Sequence, residues 1–438
     1  MTTQMESAKR GILTDEMLFA AKADGIPESL VISGVKSGRI VILKNNVHEN
    51  CNPLAVGEGT KVKINSNIGS SKDICLIEEE IEKAVLSQKY GADCLMDLST
   101  GGNLKEIRKA IMSSITIPIG TVPIYEVGFR MREQKKSLLD FDSDIFFKVI
   151  EDQLKEGVDF ITVHAGITKE IIDKYDSSKR LTGIVSRGGG ITAKWIQMHQ
   201  EENPLNENFD YLLELAHEFD ATLSLGDGLR PGSLNDASDF FQFAELKELG
   251  RLVKRSREAN VMSMVEGPGH LPISEIERNM KLQKEYCDGA PFYVLGPLVT
   301  DIAMGYDHIS GAIGGTIAAM AGADLLCYLT PAEHLALPNP QDVVEGVIAF
   351  KIAAHSVNLM RFKDEMERNN VVSKARANFD WNTMFSNALH PERAREIHDS
   401  RLSETENACS MCGEFCPMRL ELGSRKAKEI HEKAKTLQ

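Results

Sequence analysis

The sequence predicts an α/β protein built on a (β/α)8 barrel of TIM type, with an N-terminal lead-in and a C-terminal helical region. Three observations predict it. Between about residues 90 and 330, short apolar or β-branched runs alternate with helical stretches. Eight such runs can be counted, the number that closes a parallel barrel. Nearly every run also ends in polar, chemically capable residues, as expected where strand ends converge on one face.

In order, the runs are Cys94 to Asp97, Ile117 to Thr121, Phe160 to His164, Gly183 to Ser186, Leu223 to Asp227, Met262 to Glu266, Phe292 to Gly296 and Leu325 to Tyr328. Stretches such as Asp142 to Lys155 and Phe209 to Phe219 carry the apolar spacing of helices packed against a sheet. A doubly wound sheet is the alternative architecture. The barrel is preferred because Met96 to Gly102, Pro123 to Tyr125, His164 to Gly166, Ser186 to Gly189, Asp227 to Arg230, Glu266 to His270, Thr300-Asp301 and Glu333-His334 would then all surround one ligand.

Three regions follow. Residues 1–80 form the lead-in, with an opening helix at Thr14 to Ala23; residues 81–355 form the barrel; and residues 356–438 form the C-terminal helical region. Asp342 to Asn358 and Pro391 to His398 read as helices, and Asp399 to Asn407 as a linker. The tail after Pro417 reads as a solvated basic amphipathic helix carrying Arg425, Lys426, Lys428, Lys433 and Lys435.

With 42% hydrophobic and 26% charged residues, the 438-residue chain can bury a large core. Its net charge of -14 and the lack of a basic run argue against nucleic acid or an anionic membrane as partner. Charges interrupt the N-terminal segment, and no stretch shows the roughly 18 consecutive apolar residues of a membrane helix. The chain is therefore expected to be cytoplasmic, with its eight cysteines reduced, metal-bound or catalytic.

Cys409, Cys412 and Cys416 place three thiols within eight residues. Three thiolates can hold three irons of a [4Fe-4S] cluster and leave the fourth iron open for an exchangeable ligand such as S-adenosylmethionine (SAM). A zinc knot is the competing reading; it wants a fourth ligand, for which His398 is available. Spacing alone does not choose between them.

The segment Cys409-Ser410-Met411-Cys412-Gly413 followed by Cys416 resembles the cluster signature of the ThiC-type radical SAM family, the phosphomethylpyrimidine synthases. The similarity continues through Ile64 to Gly69, Met96 to Gly102, Gly120 to Tyr125, Ile184 to Gly189, Leu223 to Gly232, Val265 to His270 and Ala290 to Pro297. The resemblance implies a (β/α)8 barrel with a C-terminal [4Fe-4S] cluster on Cys409, Cys412 and Cys416, SAM as cofactor, and zinc on His270 and His334. It implies 5-aminoimidazole ribotide as substrate, held by Asn67, Met96, Tyr125, His164, Ser186, Arg187, Gly188, Asp227, Gly228, Leu229, Arg230, Glu266 and Tyr293. Tyr306, Asp307 and His308 join Glu266 as candidate catalytic groups. A homodimer and a flavodoxin- or ferredoxin-type electron donor complete the expected partners.

One loop departs from the family pattern. Asp301 to Gly314 carries Met304, Ser310 and Gly311 where the pattern has Pro, Thr and Ser. Losing Pro frees φ, and Gly for Ser removes a hydroxyl. If this loop touches reaction intermediates, the changes point to the paralogous 5-hydroxybenzimidazole synthases of cobamide biosynthesis, which share substrate and cofactors. That product is the sequence-based expectation, with phosphomethylpyrimidine as the alternative.

Overall fold

A computed structural model describes residues 2–405 and 408–421. The chain divides into two compact units, Met1–Val357 and Asn358–Gln438.

The first unit opens with helices Gln4–Lys9, Asp15–Asp24 and Glu28–Ser37, then an antiparallel pair, β1 (Ile40–Leu43) and β2 (Leu54–Gly57). Thr14 caps the second helix through the Met17 N–H, and Gly25 ends it at φ 68°, a conformation costly for residues with a Cβ. Eight parallel strands follow: β3 (Lys63–Ile68), β4 (Cys94–Asp97), β5 (Ile119–Thr121), β6 (Phe160–Val163), β7 (Thr222–Leu225), β8 (Ser263–Gly267), β9 (Phe292–Leu295) and β10 (Leu325–Cys327). They form a closed barrel, sealed where β10 pairs with β3.

The barrel stands as expected, but its strand list differs at two places. Gly183 to Ser186 pairs with no strand; it is the loop that leads into helix Arg187–His199. The eighth strand is instead β3, which lies inside the stretch assigned to the lead-in. Lys-Ile-Asn-Ser-Asn-Ile reads as a polar segment of the lead-in because four of its six side chains are polar. In the barrel three of those four groups are paired: Lys63 bonds Asp24 at 2.6 Å, Asn65 donates to Asn67 and to Tyr293, each at 2.8 Å, while Ser66 Oγ is buried without a hydrogen-bond partner.

The β1–β2 pair closes the N-terminal end of the barrel. Thr222 donates to the Ile42 carbonyl (3.4 Å) and Asp159 accepts the Asn45 N–H (2.8 Å). Asp159 also accepts from the Ile119 N–H (2.8 Å) and lies 2.9 Å from His48 Nδ1, so one buried carboxylate pins loop 45–48 beneath β5 and β6. Helices pack outside through apolar stripes. Helix Phe209–Phe219, for example, buries Phe209, Leu212, Leu213, Leu215, Ala216 and Phe219.

Helix Pro340–Arg361 is long and apolar enough, by length and composition, to cross a bilayer, and half of its apolar window is buried. In the second unit, helices Lys363–Ala377, Trp381–Ser386 and Pro391–Asp399 gather around Trp381, Phe385 and His398, whose rings lie 4.3–5.9 Å apart. The basic helix expected after Pro417 falls mostly outside the described residues.

Candidate active site

The C-terminal ends of the strands line a partly open cavity of about 90 Å³. Its walls include nine of the sequence-predicted binding residues: Asn67, Met96, Tyr125, His164, Ser186, Asp227, Arg230, Glu266 and Tyr293. It lies beside a larger cleft lined by Arg187, Tyr328, Glu333 and His334, with Asn67 on the wall of both.

The cavity is built from inward-facing strand positions and the loops just beyond them. Glu266, near the end of β8, accepts from Thr162 Oγ1 and Ser224 Oγ, each at 2.7 Å. Burial pushes its carboxyl above the usual range, against the pull of these hydroxyls and of Arg230. Asp227 stands 3.1 Å from Arg230, but its burial dominates and lifts the carboxyl to about 8. His164 is pushed down to about 3 by burial and by Arg230, so its imidazole is neutral at physiological pH. Arg230 is thus a fixed cation beside a neutral imidazole and a protonated Asp227.

Ser186 caps helix Arg187–His199: its Oγ accepts the Gly189 N–H (3.1 Å) and lies 3.1 Å from His164 Nε2. Arg187 and three successive glycines open the helix; the Gly189 N–H is taken by the Ser186 hydroxyl and the Gly190 N–H by the Ser186 carbonyl (2.7 Å). Arg187 crosses the Tyr125 ring at 4.7 Å, which sets its guanidinium at the mouth of the chamber.

The remaining predicted residues shape the wall from behind or stand apart from it. A Cβ on Gly188 would lie 2.2 Å from the His164 ring, and one on Gly228 would meet the Ile167 side chain at 2.3 Å and Gly189 Cα at 2.9 Å, so these glycines permit close packing of two loops. Leu229 is fully buried and its N–H donates to Glu245 (2.7 Å). Tyr306 is 65% exposed and precedes helix Asp307–Ala321; neither it nor His308 lines the two cavities described. Asp307 is buried, with Oδ2 3.3 Å from His334 Nδ1.

Sequence reasoning missed Asn65, Thr162, Ser224 and Cys327. Asn67 Nδ2 donates to Cys327 Sγ at 3.0 Å, while Thr162 and Ser224 hold Glu266. A usable signal existed: Asn65 and Thr162 sit two residues before Asn67 and His164, the spacing that puts strand side chains on one face.

The altered loop does not reach the chamber wall. Met304 is 63% exposed and Gly311 is buried against Leu329 and Phe350, where a Cβ would come within 2.5 Å and 2.9 Å. Gly311 therefore answers to helix packing, which removes the physical basis for reading these positions as controls of product identity.

The donor sets fit the two metal groups. His270 and His334 have ring centres 5.5 Å apart. Two imidazoles on one tetrahedral zinc, with Zn–N of about 2.1 Å, would place them roughly 5 Å apart. Cys409, Cys412 and Cys416 are free thiols on one tight turn, closed by Gly413 N–H to Cys409 O (3.2 Å) and Phe415 N–H to Cys412 O (2.9 Å). The same turn can present three thiolates to one cluster.

The model of the radical SAM ThiC family matches residues 3–422. A Pyrococcus abyssi protein named phosphomethylpyrimidine synthase is 55% identical over 418 residues, covering 95% of this chain and 97% of that protein. Proteins of the same name from Thermus thermophilus and Methanocaldococcus jannaschii are 53% and 52% identical, covering 95% and 97% of this chain and 96% and 100% of theirs.

Proposed function

Because the chain belongs to the radical SAM ThiC family, we propose that it converts 5-aminoimidazole ribotide to the phosphomethylpyrimidine of thiamin biosynthesis. The observation that carries this reading is the name shared by relatives more than 50% identical along nearly the whole chain. It replaces the sequence-based expectation of 5-hydroxybenzimidazole, which rested on a loop whose altered residues lie away from the chamber.

Each wall residue then has a task. The ribotide phosphate goes to the Arg187 guanidinium and the N–H groups of Arg187 and Gly188 that precede the capped amides, with Arg230 as the second cation. Glu266 and Asp227 address the ribose hydroxyls and ring nitrogens, and neutral His164 neither repels nor neutralises the substrate. Met96 and Tyr293, 3.6 Å apart, form a weakly polar side that excludes water from reactive carbon centres. When held by Cys409, Cys412 and Cys416, a [4Fe-4S] cluster supplies the electron for reductive cleavage of SAM. An external donor of flavodoxin or ferredoxin type and a homodimeric assembly belong to the same proposal.

Anaerobic turnover of the ribotide with SAM and a reductant, followed by chromatography with mass detection, tests the product. The expected outcome is one dominant peak of hydroxymethylpyrimidine phosphate. Dominant 5-hydroxybenzimidazole would overturn the assignment.

Ligand binding should also depend on pH. In the free enzyme Asp227 holds its proton below about 8. An anionic ligand beside Arg230 offsets that cation and raises the carboxyl further, so binding above this pH takes up a proton. Affinity for the ribotide is therefore expected to fall as pH rises above 8, by up to about tenfold per unit. Calorimetric titration from pH 7 to 9.5 should show this break in the wild type and lose it in Asp227→Asn.

A further inference from the structure

Two carboxylates stand behind the histidine pair. Asp301 Oδ1 lies 2.8 Å from His270 Nδ1, while its Oδ2 accepts the Leu234 N–H at 2.9 Å. Asp307 Oδ2 lies 3.3 Å from His334 Nδ1. Each carboxylate can only accept, so each fixes the proton on Nδ1 and leaves Nε2 as the free lone pair. The two histidines thus show the same arrangement although they come from different loops.

The backbone around them is fixed to match. Leu271 N–H bonds the Leu298 carbonyl (3.0 Å) and Leu298 N–H bonds the Gly269 carbonyl (2.7 Å), bracketing His270. His334 adopts φ 61°, a left-handed conformation that residues with a Cβ rarely hold without compensation. Asp307 is buried at the first position of helix Asp307–Ala321, which fixes its carboxyl beside His334.

We propose that Asp301 and Asp307 are positioning residues that orient His270 and His334, through their Nδ1 atoms, to present two Nε2 atoms to one divalent metal ion. The proposal rests on the reading of the two histidines as ligands of that ion. It moves Asp307 from a catalytic task to one exerted through His334, and gives a task to Asp301, which the sequence pattern left without one. Carboxylates placed behind metal-bound imidazoles raise ligand basicity and typically contribute about 10–100-fold in metal affinity.

The test is zinc affinity, measured by competition with a chelating dye on the cluster-reconstituted enzyme, so that the cysteines are occupied. Asp301→Ala and Asp307→Ala are each expected to weaken zinc binding by about 10–100-fold. Asp301→Asn and Asp307→Asn keep volume and an acceptor oxygen but lose the charge, and should fall between wild type and Ala. Cobalt(II) in place of zinc should show altered visible bands in the Ala variants, which a merely structural role would not produce. Zinc affinity within twofold of wild type in all four Asp variants, with the ion lost in His270→Ala, would overturn the positioning roles alone. Retention of the ion in both His270→Ala and His334→Ala would overturn the ligand reading and the proposal with it. Circular dichroism melting of each variant checks folding, and the Asn pair keeps the test decisive if an Ala variant does not fold.

Discussion

Replacing Cys409, Cys412 or Cys416 by Ala is expected to abolish SAM cleavage while leaving the barrel folded. The three thiols share one turn, and a cluster held by two protein ligands instead of three loses both its anchorage and the geometry that leaves one iron open. The main hydrophobic core is made of residues up to Val357 and contains none of these cysteines, so its packing does not answer to them. Anaerobic reconstitution followed by quantification of 5'-deoxyadenosine and methionine decides the matter, with thermal melting as the folding control. Full cleavage by all three variants would refute the cluster assignment.

Arg230→Ala is expected to lower kcat/KM by a factor on the order of 10², because the anionic substrate loses a buried cationic donor and a hydrogen bond to a charged group is typically worth about 1.5–3 kcal/mol. Among the residues lining the chamber, Arg230 is the fixed positive charge that Asp227, Tyr125, Glu266 and His164 all sense. The loss should fall on function far more than on stability. Asp227 already holds its proton up to about 8, and without the guanidinium its carboxyl rises further, so the variant buries a neutral acid instead of a bare charge. Arg230→Lys should recover little, since a single ammonium cannot replace the guanidinium fork. Steady-state kinetics beside a melting curve would show it; a kcat/KM within tenfold of wild type in the Ala variant would remove Arg230 from the binding machinery.

Much of this site was legible because barrel strands deliver their terminal residues to one face. Motifs such as Asp227 to Arg230 and Glu266 to His270 could be read as one site from strand order alone. Reasoning from residue type failed where the surroundings decide. Ile184 and Val185 look like strand residues, but β propensity acts only where a ladder partner exists, and here none does. Lys63–Ile68 looks too polar for a central strand, yet it closes the barrel, with Lys63 and Asn65 paired to buried partners.

By itself, then, the sequence determined the alternation of strands and helices, the convergence of polar strand ends, the triple-cysteine turn and the family. These are written in local spacing and short motifs. Only the tertiary structure decided that Asp227 keeps its proton up to about 8, that His164 stays neutral, that Thr162 and Ser224 hold Glu266, and that Asp301 and Asp307 stand behind the two histidines. It also showed that Gly311 serves packing. The physical reason is the same in each case: protonation, hydrogen-bond partnership and steric room depend on neighbours far away in the chain, and burial sets their strength.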